Sequence, residues 1–242
     1  MSEHPTPASD ASLSVWERAE PSARPTPSLL NRDMIVRAAV AVADREDLEA
    51  VSVRRIAAEL NSGPMRLYRY LSSKEELLDL MIDAAYGEMV AAGAIDGDWR
   101  AVLETVAERL RLACRTHRWL VDLIGGRPHL GPNALTFLER AYAALRKEPR
   151  FGDINLATEA MGILNAYLVG AIRCERGRIA GDLSDADWRD RWWPYLERQI
   201  KTDRFPELAA IVEHAADITP AAQFRNGLEA VLDGIEARIG RA

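Results

Sequence analysis

Cysteine is nearly absent from this chain. Its 242 residues hold only Cys114 and Cys174, a spacing that makes neither a CxxC pair nor a disulfide framework and that fits a reducing compartment. Aromatic residues are thin as well, at 7%, while Ala, Leu, Glu and Arg are plentiful, which favours helices over sheets. No apolar run approaches the roughly 18 residues of a membrane span, so no membrane partner is expected. The opening Met1-Ser2-Glu3-His4-Pro5 lacks the basic-then-apolar order of a signal peptide. There is no repeat at a solenoid period, and no P-loop, GxGxxG, GxSxG or HExxH run. Catalytic residues, a cofactor and a metal are therefore not expected, and the chain is read as cytoplasmic and not an enzyme. Lysine is scarce too: Lys74, Lys147 and Lys201 are the only three among 31 basic residues, the rest being Arg. A net charge of −6 excludes a chain that is basic throughout, but not a local basic patch.

What remains is ample for a core. At 48% hydrophobic and 28% charged, the chain fits one large or two modest soluble domains. Residues 1–29 stand apart, holding Pro5, Pro7, Pro21, Pro25 and Pro27, so they sustain no long helix. They are expected to be a flexible extension with at most a short turn around Trp16, either a free tail or an arm that touches a partner.

From Asn31 onward the pattern is helical. Asn31 caps a first helix carrying Ile35, Ala38, Ala39, Val42 and Ala43, ending near Arg45. Ser52 starts a short second helix with Ile56, Ala57 and Leu60 inside. Asn61-Ser62-Gly63 breaks it, and Pro64 opens a third, very short helix through Tyr70. Ser73 caps a long fourth helix, with Glu76 in the capping-box position. Further helices are expected from Asp98, Trp119, Asn133, Asp153, Asp185, Pro206 and Pro220. The stretch from Asp153 to Cys174 is apolar nearly all round. With the closing helix at 220–239 it is expected to form a four-helix dimer interface. The fold class is all-α.

Two short helices joined by a three-residue break form a helix-turn-helix candidate over Ser52–Tyr70. Arg54 and Arg55 point outward from the first. On the second, Leu67 is expected inside, with Met65, Arg66, Tyr68, Arg69 and Tyr70 exposed. Arg66 and Arg69 share a face and are of the type that donates two hydrogen bonds to guanine in a major groove. Tyr68, Tyr70 and Lys74 suit phosphates. Residues 51–74 carry five basic side chains against Glu59, a net +4, which leaves −10 on the other 218 residues. A basic island on an acidic chain suits a local contact with double-stranded DNA.

Residues 31–78 resemble the DNA-binding domain of TetR-family repressors. The resemblance rests on Ile35, Ala38 and Ala39 in the first helix, Ser52-Val53-Arg54-Arg55-Ile56-Ala57 in the second, Leu67-Tyr68 in the third and Ser73-Lys74-Glu75-Glu76-Leu77-Leu78 in the fourth. Residues 115–145, with Arg127-Pro128 and Gly131-Pro132-Asn133-Ala134-Leu135, are similar to the C-terminal domain of tetracycline-repressor-like members. The resemblance implies a homodimer, a DNA-binding domain at 30–75, a helical ligand-binding and dimerisation domain at 76–242, and release from a near-palindromic operator when a small effector binds. Two positions depart from the family pattern. Asn61-Ser62 replaces the usual Gly-Val of the turn, and Glu46-Asp47 replaces the glycine that commonly follows the first helix.

Outside this head the candidates are open. His117, His129 and His214 are ordinary partly buried histidines or members of a metal-linked effector site. Arg127 lines a pocket mouth or caps the helix before it. Trp188, Trp192 and Trp193 belong to the core, an interface or an apolar pocket; the Trp, Leu, Met and Ile supply favours a lipophilic effector. The alternative function is a helical interaction module that does not read DNA.

Overall fold

The computed structural model describes residues 14–21, 30–126, 128–180, 185–202, 204–216 and 218–240. Among them there are eleven α-helices and no strand: α1 Arg32–Glu46, α2 Val53–Glu59, α3 Pro64–Leu67, α4 Lys74–Ala91, α5 Trp99–Thr116, α6 Leu120–Leu123, α7 Pro132–Leu145, α8 Ile154–Ala180, α9 Asp185–Ile200, α10 Pro206–His214 and α11 Pro220–Ile239. The chain divides into two compact units, Met1–Gly152 and Asp153–Ala242.

Local chemistry sets the helix starts. The side chains of Asn31, Ser52, Ser73 and Asp98 accept from Met34 N, Arg55 N, Glu76 N and Ala101 N at 2.8, 3.1, 3.2 and 2.9 Å. Each satisfies one of the backbone donors that a helix leaves open at its first turn. Glu76 departs from the expected box. Its carboxylate accepts from Ser72 N at 2.6 Å and from Arg18 rather than from Ser73 N.

In the first unit α4 is the central rod, packed against α1, α5 and α7. Ile35, Ala39 and Val42 of α1, Ile56 and Ala57 of α2, Leu67 of α3 and Leu77 and Met81 of α4 are fully buried. Burying each large aliphatic side chain stabilises by about 1.5–3 kcal/mol. Polar joints fix the rest of the rod. Asp83, buried in α4, accepts from Asn133 N, Ala134 N and Asn133 Nδ2 at 3.0, 3.0 and 3.1 Å, so it caps the first turn of α7 from outside. Burial pushes its carboxyl above the usual range against the pull of those donors. Arg109 of α5 reaches the carbonyls of Met89, Gly93 and Ala94 at 3.1, 3.0 and 2.6 Å, closing the C-terminal end of α4.

Residues 14–21 are held onto this unit. Val15 is buried, Arg18 hydrogen-bonds Ser72 and pairs with Glu76, and a short turn runs from Ser14 to Arg18. The turn expected around Trp16 is present, and this part of the extension is an arm against its own chain. The rest of 1–29 lies outside the described residues.

In the second unit α8 packs on α11. Leu164, Leu168 and Ile172 of α8 and Phe224, Leu228 and Leu232 of α11 are buried in its core. Tyr167 Oη donates to Phe224 O at 2.5 Å, and a side chain at Gly227 would come within 2.6 Å of that hydroxyl. The α8 helix also leaves Ile154 and Ile163 exposed. On α9, Trp192 and Trp193 are 46% and 41% exposed, which removes them from the core of the chain. The Trp188 side chain and Arg127 lie outside the described residues. No described helix is long and apolar enough to cross a membrane.

Candidate nucleic-acid interface

The turn after α2 is a Schellman closure. Ser62 N bonds Ala57 O at 2.8 Å and Asn61 N bonds Ala58 O at 3.1 Å, with Asn61 at φ +48°. Asparagine is among the few side chains that accept this left-handed backbone, so the turn forms without the family's usual glycine. Ser62 stands where such a closure prefers an apolar contact, and its Oγ is buried with no hydrogen-bond partner. The first-helix departure has a cost of its own: Asp47 takes φ 67°, ψ 169°, a conformation suited to glycine.

Beyond the turn, Gly63 and Pro64 open α3, a single turn through Leu67. The expected helix to Tyr70 is thus shorter, continued by turns in which Tyr68 N bonds Pro64 O and Tyr70 N bonds Leu67 O at 3.2 and 2.8 Å. Leu67 is fully buried and roots the segment. Met65, Arg66, Tyr68 and Arg69 are exposed, as are Arg54 on α2 and Lys74 at the start of α4. None of the side chains of Arg54, Arg66, Arg69 and Lys74 makes a hydrogen bond or ion pair among the described residues. Exposed, uncompensated cations on two adjacent helices and the next helix start are what a phosphate backbone and a groove edge require.

Two expected contacts are corrected. Tyr70 is 9% exposed, and its hydroxyl donates to Leu30 O at 2.7 Å, so it fastens the entry to α1 instead of facing a phosphate. Arg55 is half-exposed and held in a surface ion-pair network. Its Nη2 meets Glu46 Oε1 and its Nη1 meets Glu59 Oε2, both at 2.7 Å, while Arg45 also pairs with Glu46 at 2.7 Å. Hydrogen bonds from Arg55 and Arg45 lower the Glu46 pKa to about 2 and those to Glu46 and Glu59 raise that of Arg55. The network of two cations and two carboxylates is neutral, so the basic face narrows to the other four residues.

Sequence reasoning missed Arg18, Glu46, Asp83 and the surroundings of His117. Only Glu46 carried a signal, as an acidic replacement of a glycine. His129 Nε2 lies 3.2 Å from Leu123 O and His214 is exposed. His117 is buried between carboxylates. Among the described residues no group of three or more His, Cys, Asp or Glu is placed to hold a metal ion.

Residues 35–81 match the family model of bacterial regulatory proteins of the tetR family, and residues 93–239 match that of the tetracyclin repressor-like C-terminal domain. The chain is 36% identical to the HTH-type transcriptional repressor DrrR1 of Streptomyces coeruleorubidus, over 94% of this chain and 85% of that protein. It superposes on apo ActR from Streptomyces coelicolor with a TM-score of 0.74 at 28% identity, covering 89% of this chain and 99% of the other. ActR in complex with actinorhodin matches at a TM-score of 0.73 and 28% identity, over 88% and 100%.

Proposed function

This chain belongs to the TetR family of bacterial regulatory proteins, and on that premise we propose that it represses transcription from a near-palindromic operator as a cytoplasmic homodimer. The observation that carries this reading is the set of unpaired, exposed cations Arg54, Arg66, Arg69 and Lys74 around the turn that Leu67 roots. Residues 30–75 act as the head. Arg66 and Arg69 read base edges, Arg54 sits at the groove edge, Tyr68 and Lys74 grip phosphates, and Met65 supplies apolar contact to a thymine methyl. The 76–242 segment binds effector and dimerises through α8 and α11, supported by the apolar side chains Ile154 and Ile163 that α8 leaves exposed. An obligate interface of this kind exceeds about 2,000 Å².

The effector is a small, lipophilic organic molecule. The likeness to a structure holding actinorhodin supports this reading. The test begins with selection of duplexes from a randomised pool, followed by mobility shift at rising salt. Enrichment of a near-palindrome bound by two chains, with affinity falling steeply as salt rises, is the expected result. Recovery of no duplex would leave the interaction-module reading in its place. Sedimentation showing a stable 26.9 kDa monomer at micromolar concentration would overturn the dimer. Titrating organic effectors, beginning with actinorhodin, into the preformed complex tests release. Linkage requires that DNA weaken effector binding by the same factor.

A further inference from the structure

His117 follows the last residue of α5, its N–H bonded to Ala113 O at 2.8 Å, and is 5% exposed. Its two ring nitrogens face carboxylates on two other helices. Nδ1 lies 2.9 and 3.0 Å from Oδ1 and Oδ2 of Asp44, in the last turn of α1. Nε2 lies 3.2 and 3.1 Å from Oε1 and Oε2 of Glu88, near the end of α4. Trp119, itself 1% exposed, donates its indole N–H to Asp44 Oδ1 at 2.7 Å and lays its ring 5.5 Å from the imidazole. The groups facing the imidazole are thus Asp44 from α1, Glu88 from α4 and the indole at the entry to α6. Arg115 and Arg118, on its own stretch, are exposed.

A neutral imidazole carries one N–H and satisfies one carboxylate, leaving the other against a lone pair. The imidazolium donates to both. Burial acts to lower the ring's pKa, but the hydrogen bonds and charges of Asp44 and Glu88 outweigh it and raise the pKa above the ordinary value of 6.5. Among the described residues, Asp44 is the one residue of α1 that hydrogen-bonds to anything beyond α4. The ring therefore sits at the joint where the α5–α6 connection meets both the first helix of the head and the rod that leads out of it.

We propose that His117, as an imidazolium, is the positioning residue that couples the α5–α6 junction to the DNA-binding head, clamping α1 to α4 so that losing its proton, or displacing that junction, lowers operator affinity. The proposal rests on the regulator reading given above. Its direction follows from operator geometry. Two heads must meet half-sites at a spacing that DNA fixes, so a head held at one angle to its rod docks with less ordering than a loosened one.

The sign with pH follows. The folded ring titrates above its unfolded value, so the clamp's contribution is complete below about pH 6.5 and is lost as pH rises through the folded pKa. The experiment measures operator affinity by fluorescence anisotropy from about pH 6 to about pH 9 at fixed salt, on a near-palindromic duplex selected from a randomised pool. Alongside it, the His117 ring is titrated by nitrogen NMR. The native chain loses about fivefold or more in affinity over the range, with a midpoint at the ring's own titration. H117Q abolishes that step. E88Q removes a partner whose side chain is 60% exposed, so the fold tolerates it, and it moves both the step and the ring titration to lower pH. A purely structural histidine would lower thermal stability in H117Q and leave the pH profile unchanged. A native profile that H117Q or E88Q reproduces overturns the clamp alone. A native chain that binds no duplex at any pH overturns the regulator reading and the clamp with it.

Discussion

A Cβ placed on Gly131 would lie 2.2 Å from Oδ1 of Asp83. The glycine is thus the space into which the buried carboxylate of α4 reaches to cap α7. The family-like Gly131-Pro132-Asn133-Ala134 run is explained by this contact: glycine for clearance, proline at the first helical position, and the next two N–H groups for the carboxylate.

Gly131→Ala should therefore destabilise more than its one methyl suggests, by about 1–3 kcal/mol from overpacking. Asp83→Asn removes the charge from three hydrogen bonds and presents a donor to donors, with a loss of about the same size. Chemical denaturation midpoints check both. Unchanged midpoints would mean that α4 and α7 are joined by apolar packing alone.

Asp47 holds φ 67° with ψ 169°, a conformation costing about 1–3 kcal/mol in a residue with a side chain. Asp47→Gly releases that strain and adds unfolded-chain freedom of about 0.4–1 kcal/mol. The net expectation is a gain of about 1 kcal/mol, read as a melting temperature higher by about 2–4 °C. A lower melting temperature would show that the surroundings have relaxed to suit the aspartate.

Much of this was legible before the structure because the signals are local. Caps at Asn31, Ser52 and Ser73 act over three residues, and the αL turn at Asn61 is decided by one side chain. The exposure of Arg54, Arg66, Arg69 and Lys74 follows from the same short-range pattern. What failed was long-range. Tyr70 is buried because the backbone of Leu30 lies against it, forty residues away in sequence. Arg55 is neutralised by Glu46 across a turn, and Asp83 finds its partners fifty residues on. No periodicity records such meetings, so a helical pattern does not tell a buried tyrosine from an outward one, or a paired arginine from a free one.

Ser62→Val is expected to stabilise. The hydroxyl of Ser62 is buried without a partner, and leaving a buried polar group unpaired costs about 1–3 kcal/mol. Valine keeps the backbone bond to Ala57 and adds an apolar contact to the closure of α2. A gain of about 1 kcal/mol in unfolding free energy, with operator affinity unchanged, is the expected outcome. A loss would mean the space around position 62 cannot accept two methyl groups.

The division of labour among the cations makes the sharpest demand on the DNA reading. Arg66→Ala should cost about 1–3 kcal/mol at one base position per half-site and relax preference there. Lys74→Ala should weaken all sequences alike and flatten the salt slope by about one unit per head. Arg55→Ala should shift base preference at no position, because its guanidinium is already held by Glu46 and Glu59. The converse change is more telling. The double substitution Glu46→Gln with Glu59→Gln frees Arg45 and Arg55 beside the recognition segment, so non-specific affinity should rise and the salt slope should steepen. Binding measured over a randomised half-site at several salt concentrations separates these outcomes. If Arg66→Ala and Lys74→Ala weakened every sequence equally, the assignment of base reading to Arg66 would be wrong. If the double glutamine variant left the slope unchanged, the carboxylates do not set the field that DNA meets.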